Sequence, residues 1–186
     1  MPLTKLDSTA ALVVIDLQKG IVSIPTVHPV GEIIAHTAQL ARAFRKRGLP
    51  VVLVNVTGIA PGRTDAGARN MSSLPADWAE LVPELEQKPE DHIVSKRRVG
   101  AFIGTSLDDY LRQREVTQVF LTGVATSLGV ESTLRSAYDY GYNVVAVVDA
   151  MTDRDADSHR HSVEKIFSRM GETATTDGVL KMLQEG

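Results

Sequence analysis

Short apolar runs rich in β-branched residues recur along the chain, and each is parted from the next by a stretch with helical spacing. The runs are Ala10 to Ile15, Val51 to Val56, His92 to Val94, Val119 to Thr122, Val144 to Val148 and a brief polar-flanked one at Thr173 to Thr175. The strongest of them are continuously apolar, not alternating, which suits strands covered on both faces. Between them lie helical patterns at His28 to Arg47, Ser106 to Gln113, Ser127 to Tyr140, Asp157 to Met170 and Asp177 to Leu183. Gly48, Gly141 and Gly171 follow three of these segments, where a left-handed cap is expected. Strand alternating with helix predicts a parallel sheet sandwiched between helices, a three-layer α/β/α fold.

A length of 186 residues fits one domain, 1–186, with a core of its own. The segment from Gly58 to Pro89 interrupts the rhythm with Pro61, Gly62, Gly67, Pro75, Pro83 and Pro89, and it holds the single Trp, Trp78. It reads as an excursion over one end of the sheet, with one helical turn between Trp78 and Glu86. Twenty basic against 23 acidic side chains leave a net charge of -3, so neither nucleic acid nor an anionic membrane is an expected partner. The opening Met-Pro-Leu-Thr-Lys-Leu-Asp does not read as a signal peptide, and no apolar run reaches the ~20 residues of a membrane span; a cytoplasmic location is expected. The chain contains no cysteine, which excludes disulfides, thiolate metal sites and a Cys nucleophile.

Ligands of open parallel sheets bind beyond the carboxyl ends of the strands, so the residues just after each run are the candidates. These include Asp16-Leu17-Gln18, Asn55 to Gly58, Ser95 to Arg98, Gly123 to Gly129 and Asp149-Ala150. Asp16 ends an apolar strand, where desolvation raises its pKa unless a cation is near, and Lys96 at the end of a neighbouring strand is a candidate for that cation. Such a pair can move a proton or hold a water. The plainer alternative is a capping aspartate and a surface lysine. Gly123 to Gly129 leads into a helix whose N-terminus offers N–H groups to developing negative charge, with Thr126 or Ser127 as its cap. Ser127 is not set in a Gly-x-Ser-x-Gly elbow, because Ala125 stands at the first glycine. Neither a P-loop nor a Gly-x-Gly-x-x-Gly fingerprint occurs, and Gln18 stands where an aspartyl phosphatase wants a second Asp. His159 and His161, two apart on a helix, diverge and read as solvated surface, not a metal pair.

Three segments, Ala11 to Gln18, Lys96 to Phe102 and Leu121 to Thr133, resemble the isochorismatase-like hydrolases in order and in residues, and the similarity continues through Ala137 to Tyr142 and Val148 to Ala150. The resemblance implies a Rossmann-like isochorismatase fold with a six-stranded, mostly parallel sheet, and a cis peptide at Val124–Ala125. Most members are amidases using Asp, Lys and a nucleophilic Cys. Asp16 and Lys96 match the first two, and Gly129 stands at the cysteine position. The Cys-less branch of the family hydrolyses a vinyl ether by protonation and attack of water, with Asp16 as acid, Lys96 as its electrostatic partner and Gly129 leaving room for substrate. Gln18, Ala125, Phe102, Arg97, Trp78 and Arg63 are candidate substrate contacts. No cofactor is expected. A metal site is not expected either, since no Asp-x-His follows the second strand. The competing reading is a catalytically silent relative that binds a small molecule. Resemblance also implies a homo-oligomer, with Leu134, Tyr138, Tyr140 and Tyr142 as candidate contacts.

Overall fold

The computed structural model describes residues 3–65, 67 and 73–185; the opening Met-Pro and part of the excursion lie outside the described residues. Six strands form one sheet in the order β3-β2-β1-β4-β5-β6: β1 (Ala10–Ile15), β2 (Val51–Val56), β3 (His92–Lys96), β4 (Gln118–Val124), β5 (Asn143–Thr152) and β6 (Glu172–Ala174). Every pairing is parallel. The order reverses between β1 and β4, and the carboxyl edge there is the ligand crevice of doubly wound sheets.

Each strand divides its residues between two cores. Ala11, Val13 and Ile15 face one layer with Val52, Val54, Leu121 and Ala146, covered by α3 (Leu107–Gln113) and α4 (Glu131–Asp139). Ala10, Leu12 and Val14 face the other with Leu53, Phe120 and Val145, covered by α2 (Val30–Lys46) and α6 (Thr176–Glu185). All six residues of β1 are buried, and at roughly 1.5–3 kcal/mol for each fully buried aliphatic side chain this central strand is strongly held. On α2 the buried positions Ile33, Ile34, Thr37, Ala38, Leu40, Ala41 and Phe44 follow the helical period.

Several expectations need adjustment. β5 runs on to Thr152, so Asp149 lies within the strand and not beyond it. The Asp149 Oδ1 atom instead accepts the Thr176 N–H and hydroxyl, capping α6. Gly48 and Gly141 take left-handed conformations, but Gly171 does not cap that way; a Cβ there would lie 2.5 Å from the Val144 carbonyl oxygen, so close approach to β5 is what requires glycine. The long helix expected from Asp157 breaks into α5 (Ala156–His161), a π-helical turn at Ser162–Ile166 and a 3-10 turn at Phe167–Arg169. Leu134 and Tyr142 are buried within the chain and are not available to a subunit contact, whereas Tyr138 and Tyr140 are exposed. Among the described residues no helix is long and apolar enough to cross a membrane.

Candidate active site

At the end of β1 the chain turns through Asp16 in a left-handed conformation, φ 53°, while its N–H still bonds the Val54 carbonyl. A non-glycine residue held there costs on the order of 1–3 kcal/mol and persists only where the surroundings impose it. Lys96 is the last residue of β3, an edge strand that β2 separates from β1. The two strands are therefore about 10 Å apart, a gap that an extended lysine and a carboxylate can span together. Lys96 shares the inward phase of Val94 and is only 2% exposed. Its Nζ lies 2.7 Å from Asp16 Oδ2 and donates to the Val99 carbonyl, also at 2.7 Å. Neither alternative reading survives: Asp16 caps no helix and Lys96 is no surface lysine. Burial pushes the Asp16 carboxyl up to about 6, against the opposing pull of Lys96. Asp16 Oδ1 is buried with no partner among the described residues, a state that costs ~1–3 kcal/mol unless a ligand or water meets it.

From β4 the third element arrives. Gly123, φ 115°, crosses so close to β1 that a Cβ would lie 2.0 Å from the Ile15 carbonyl oxygen. The Val124–Ala125 peptide is cis, and Thr126–Val130 form a π-helical turn leading into α4. That turn points the α-hydrogen side of Gly129 at the pair: an added Cβ would sit 3.0 Å from Ile15 Cγ2, 3.2 Å from Asp16 Oδ2 and 3.5 Å from Lys96 Nζ. Any side chain at 129 would reach both charged groups. The glycine places no side chain against them.

Neither Thr126 nor Ser127 caps this turn with its side chain, contrary to expectation. Asp153, just past β5, does so instead: its Oδ2 accepts the Ser127 N–H at 2.6 Å and its Oδ1 the Arg154 N–H. The Ser127 amide is thus already matched by a carboxylate and is not free for an oxyanion. His159 is half-buried, not solvated, sharing a hydrogen bond with the Thr126 hydroxyl at 2.9 Å and meeting His28 edge-on. Burial holds its pKa low, aided by His28 and opposed by Asp153. Extending β5 by four residues in the sequence reading would have located Asp153.

The remaining candidates make their contacts elsewhere. Gln18 is buried, its Oε1 accepting the Val56 N–H and its Nε2 donating to Val56 and Trp78 carbonyls, so its amide stitches β2 to the returning excursion. Residues 78–82 run antiparallel to 17–20 through the Gln18–Leu81 bridge, over the end of β1. Trp78 is half-buried, its indole occupying the space where Gly20 of α1 (Lys19–Val22) would carry a Cβ. The helical turn expected near it is Pro83–Leu85. Arg97 is exposed and lies over Gly58, Phe102 is buried against Tyr140 and Tyr142, and Arg63 is exposed. Asp16, Lys96 and Gly129 are brought into one cluster, with Ala125 opening the same turn.

A doubly wound sheet that buries a carboxylate and an ammonium together at its switch point is the arrangement of an α/β protein with its functional centre at the carboxyl edge of the strands. More narrowly, the chain belongs to the isochorismatase family, a family of hydrolases: the isochorismatase domain profile matches residues 10–178. It is 38% identical to the isochorismatase family protein YwoC of Bacillus subtilis over 94% of each chain. It is 30% identical to the ureidoacrylate amidohydrolase RutB of Pseudomonas syringae, over 80% of this chain and 73% of that one. The solved structure of an isochorismatase family protein from Burkholderia thailandensis superposes with a TM-score of 0.91 at 41% identity, covering 96% of this chain and 97% of that one.

Proposed function

We propose that the protein hydrolyses a small molecule through Asp16 and Lys96 without forming a covalent enzyme intermediate, and that a vinyl ether of the isochorismate type is the substrate class that suits it. The observation that carries this reading is the bare Gly129, whose missing side chain would point at Asp16 and Lys96 within 3.5 Å of both, so that no nucleophile stands beside the pair. An amide-cleaving relative such as RutB shares the family; this chain has no cysteine with which to form a thioester. Protonation followed by attack of water needs none. A carboxyl with its midpoint at about 6 is protonated to roughly a tenth at neutral pH. It gives its proton to the terminal alkene carbon, water adds to the resulting oxocarbenium, and the hemiketal collapses to an α-keto acid and an alcohol. The proton released by water restores Asp16. Lys96 fixes the carboxyl and balances it when ionised.

The test is turnover of isochorismate and of a panel of vinyl ethers, esters and amides by wild type and by Asp16→Asn. Loss of general-acid catalysis typically costs 10²–10⁴-fold, so Asp16→Asn should fall by at least about a hundredfold. Wild-type kcat/KM should decline as pH rises above about 6, where the carboxyl loses its proton. Tight binding with no turnover by wild type would establish the competing reading, a silent small-molecule binder.

A further inference from the structure

The loop after β3 is locked onto the start of α4, and the lock reaches both halves of the candidate centre. Val99 supplies the carbonyl that holds Lys96 Nζ at 2.7 Å. One residue on, Gly100 lies so close to Ser132 that a Cβ would sit 2.8 Å from its Oγ. Next, the Ala101 N–H donates to Thr133 Oγ1 at 3.0 Å, and the fully buried Thr133 hydroxyl donates to the Gly129 carbonyl at 2.6 Å. A hydroxyl carries one proton, so both directions are fixed. Back-bonding from Thr to the carbonyl four residues earlier is ordinary in helices. The second bond, from a different element, is not.

From this arrangement we infer that Thr133 is a positioning residue: it never meets substrate, but it sets the separation of Lys96, Asp16 and Gly129 by tying the Gly129 carbonyl to the loop that orients Lys96. The inference rests on the pair being the reactive centre, yet its test does not depend on turnover. Among the described residues Lys96 is the one charged group that acts on Asp16, and it opposes the effect of burial. Loosening the loop weakens that opposition, so the Asp16 midpoint must rise.

The measurement is the carbon-13 titration of the Asp16 carboxyl in the full chain, comparing wild type with Thr133→Val, which keeps the shape and loses the hydroxyl, and Thr133→Ser, which keeps the hydroxyl. Thr133→Val should raise the midpoint by about half a pH unit or more, a fraction of what a neighbouring opposite charge contributes, while Thr133→Ser stays at the wild-type value. Thr133→Ala serves if the valine variant does not fold and should move the same way. Coincident titrations with a lowered melting temperature would reduce Thr133 to a packing residue and overturn the inference. A shifted midpoint in a protein that turns over no compound supports the coupling and removes only the hydrolase reading. Turnover lost in Asp16→Asn beside an unmoved midpoint does the reverse.

Discussion

Replacing the buried pair with neutral residues in Asp16→Asn/Lys96→Met should make the protein relatively more stable as pH rises. Asn tolerates the left-handed backbone that Asp16 adopts, and Met fills the volume of a lysine stem, so the double change removes the charges with little else. The Asp16 carboxyl titrates at about 6 when folded against an ordinary 3.8. Its folded form therefore holds a proton that the unfolded chain has released. Stability from this group is fully present below the unfolded midpoint, declines as pH rises between the two midpoints, and levels off above the folded one. Between about pH 4 and pH 7.5 the wild type should lose roughly 2–3 kcal/mol that the variant does not, the free-energy equivalent of about two pKa units. Urea unfolding of both proteins at several pH values gives the difference directly, and carboxylates such as Asp7 and Asp155, with lowered midpoints, cancel because both proteins carry them. A difference that stays flat, or that turns in favour of wild type with rising pH, would refute the claim that burial outweighs Lys96 at this carboxyl.

Two glycine substitutions probe the backbone that frames the centre. Gly123→Ala places a methyl 2.0 Å from the Ile15 carbonyl oxygen at φ 115°; the β1–β4 ladder must spread, with an expected loss of about 3 kcal/mol or more in urea unfolding, and a loss below about 1 kcal/mol would show that the crossing is loose. Gly129→Ala meets only the Ile15 methyl and the ends of two side chains at 3.0–3.5 Å, so stability should fall by less than about 2 kcal/mol. The same methyl crowds Asp16 and Lys96, and kcat/KM should drop about tenfold or more; unchanged turnover would mean that the reaction does not depend on the space beside the pair.

How far the pattern of residues reaches depends on which force sets each feature. β1 and β2 begin and end where the apolar runs do, Ala10–Ile15 and Val51–Val56, because burial on both faces keeps all of β1 and the first four residues of β2 apolar, with Asn55 entering only where β2 becomes partly exposed. β5 passes beyond its apolar run because Asp149 finds Thr176 as a partner from another element, and nothing local to the strand announces that. The short helix Lys19–Val22 is hidden for the same kind of reason: Gly20 reads as a helix breaker, yet it is the residue that lets Trp78 lie against the turn. The pairing of Asp16 with Lys96 depends on strand order, which periodicity does not encode, and it is made not between neighbours but across the end of β2. A lysine is the side chain long enough to do this from an edge strand, and the buried phase it shares with Val94 keeps it dry on the way. Gly129 shows the limit most clearly. Its identity is plain in the chain, but the chemical meaning of a missing side chain lies in where a Cβ would have pointed, and only the π-helical turn from Thr126 to Val130 aims that direction at the two charges.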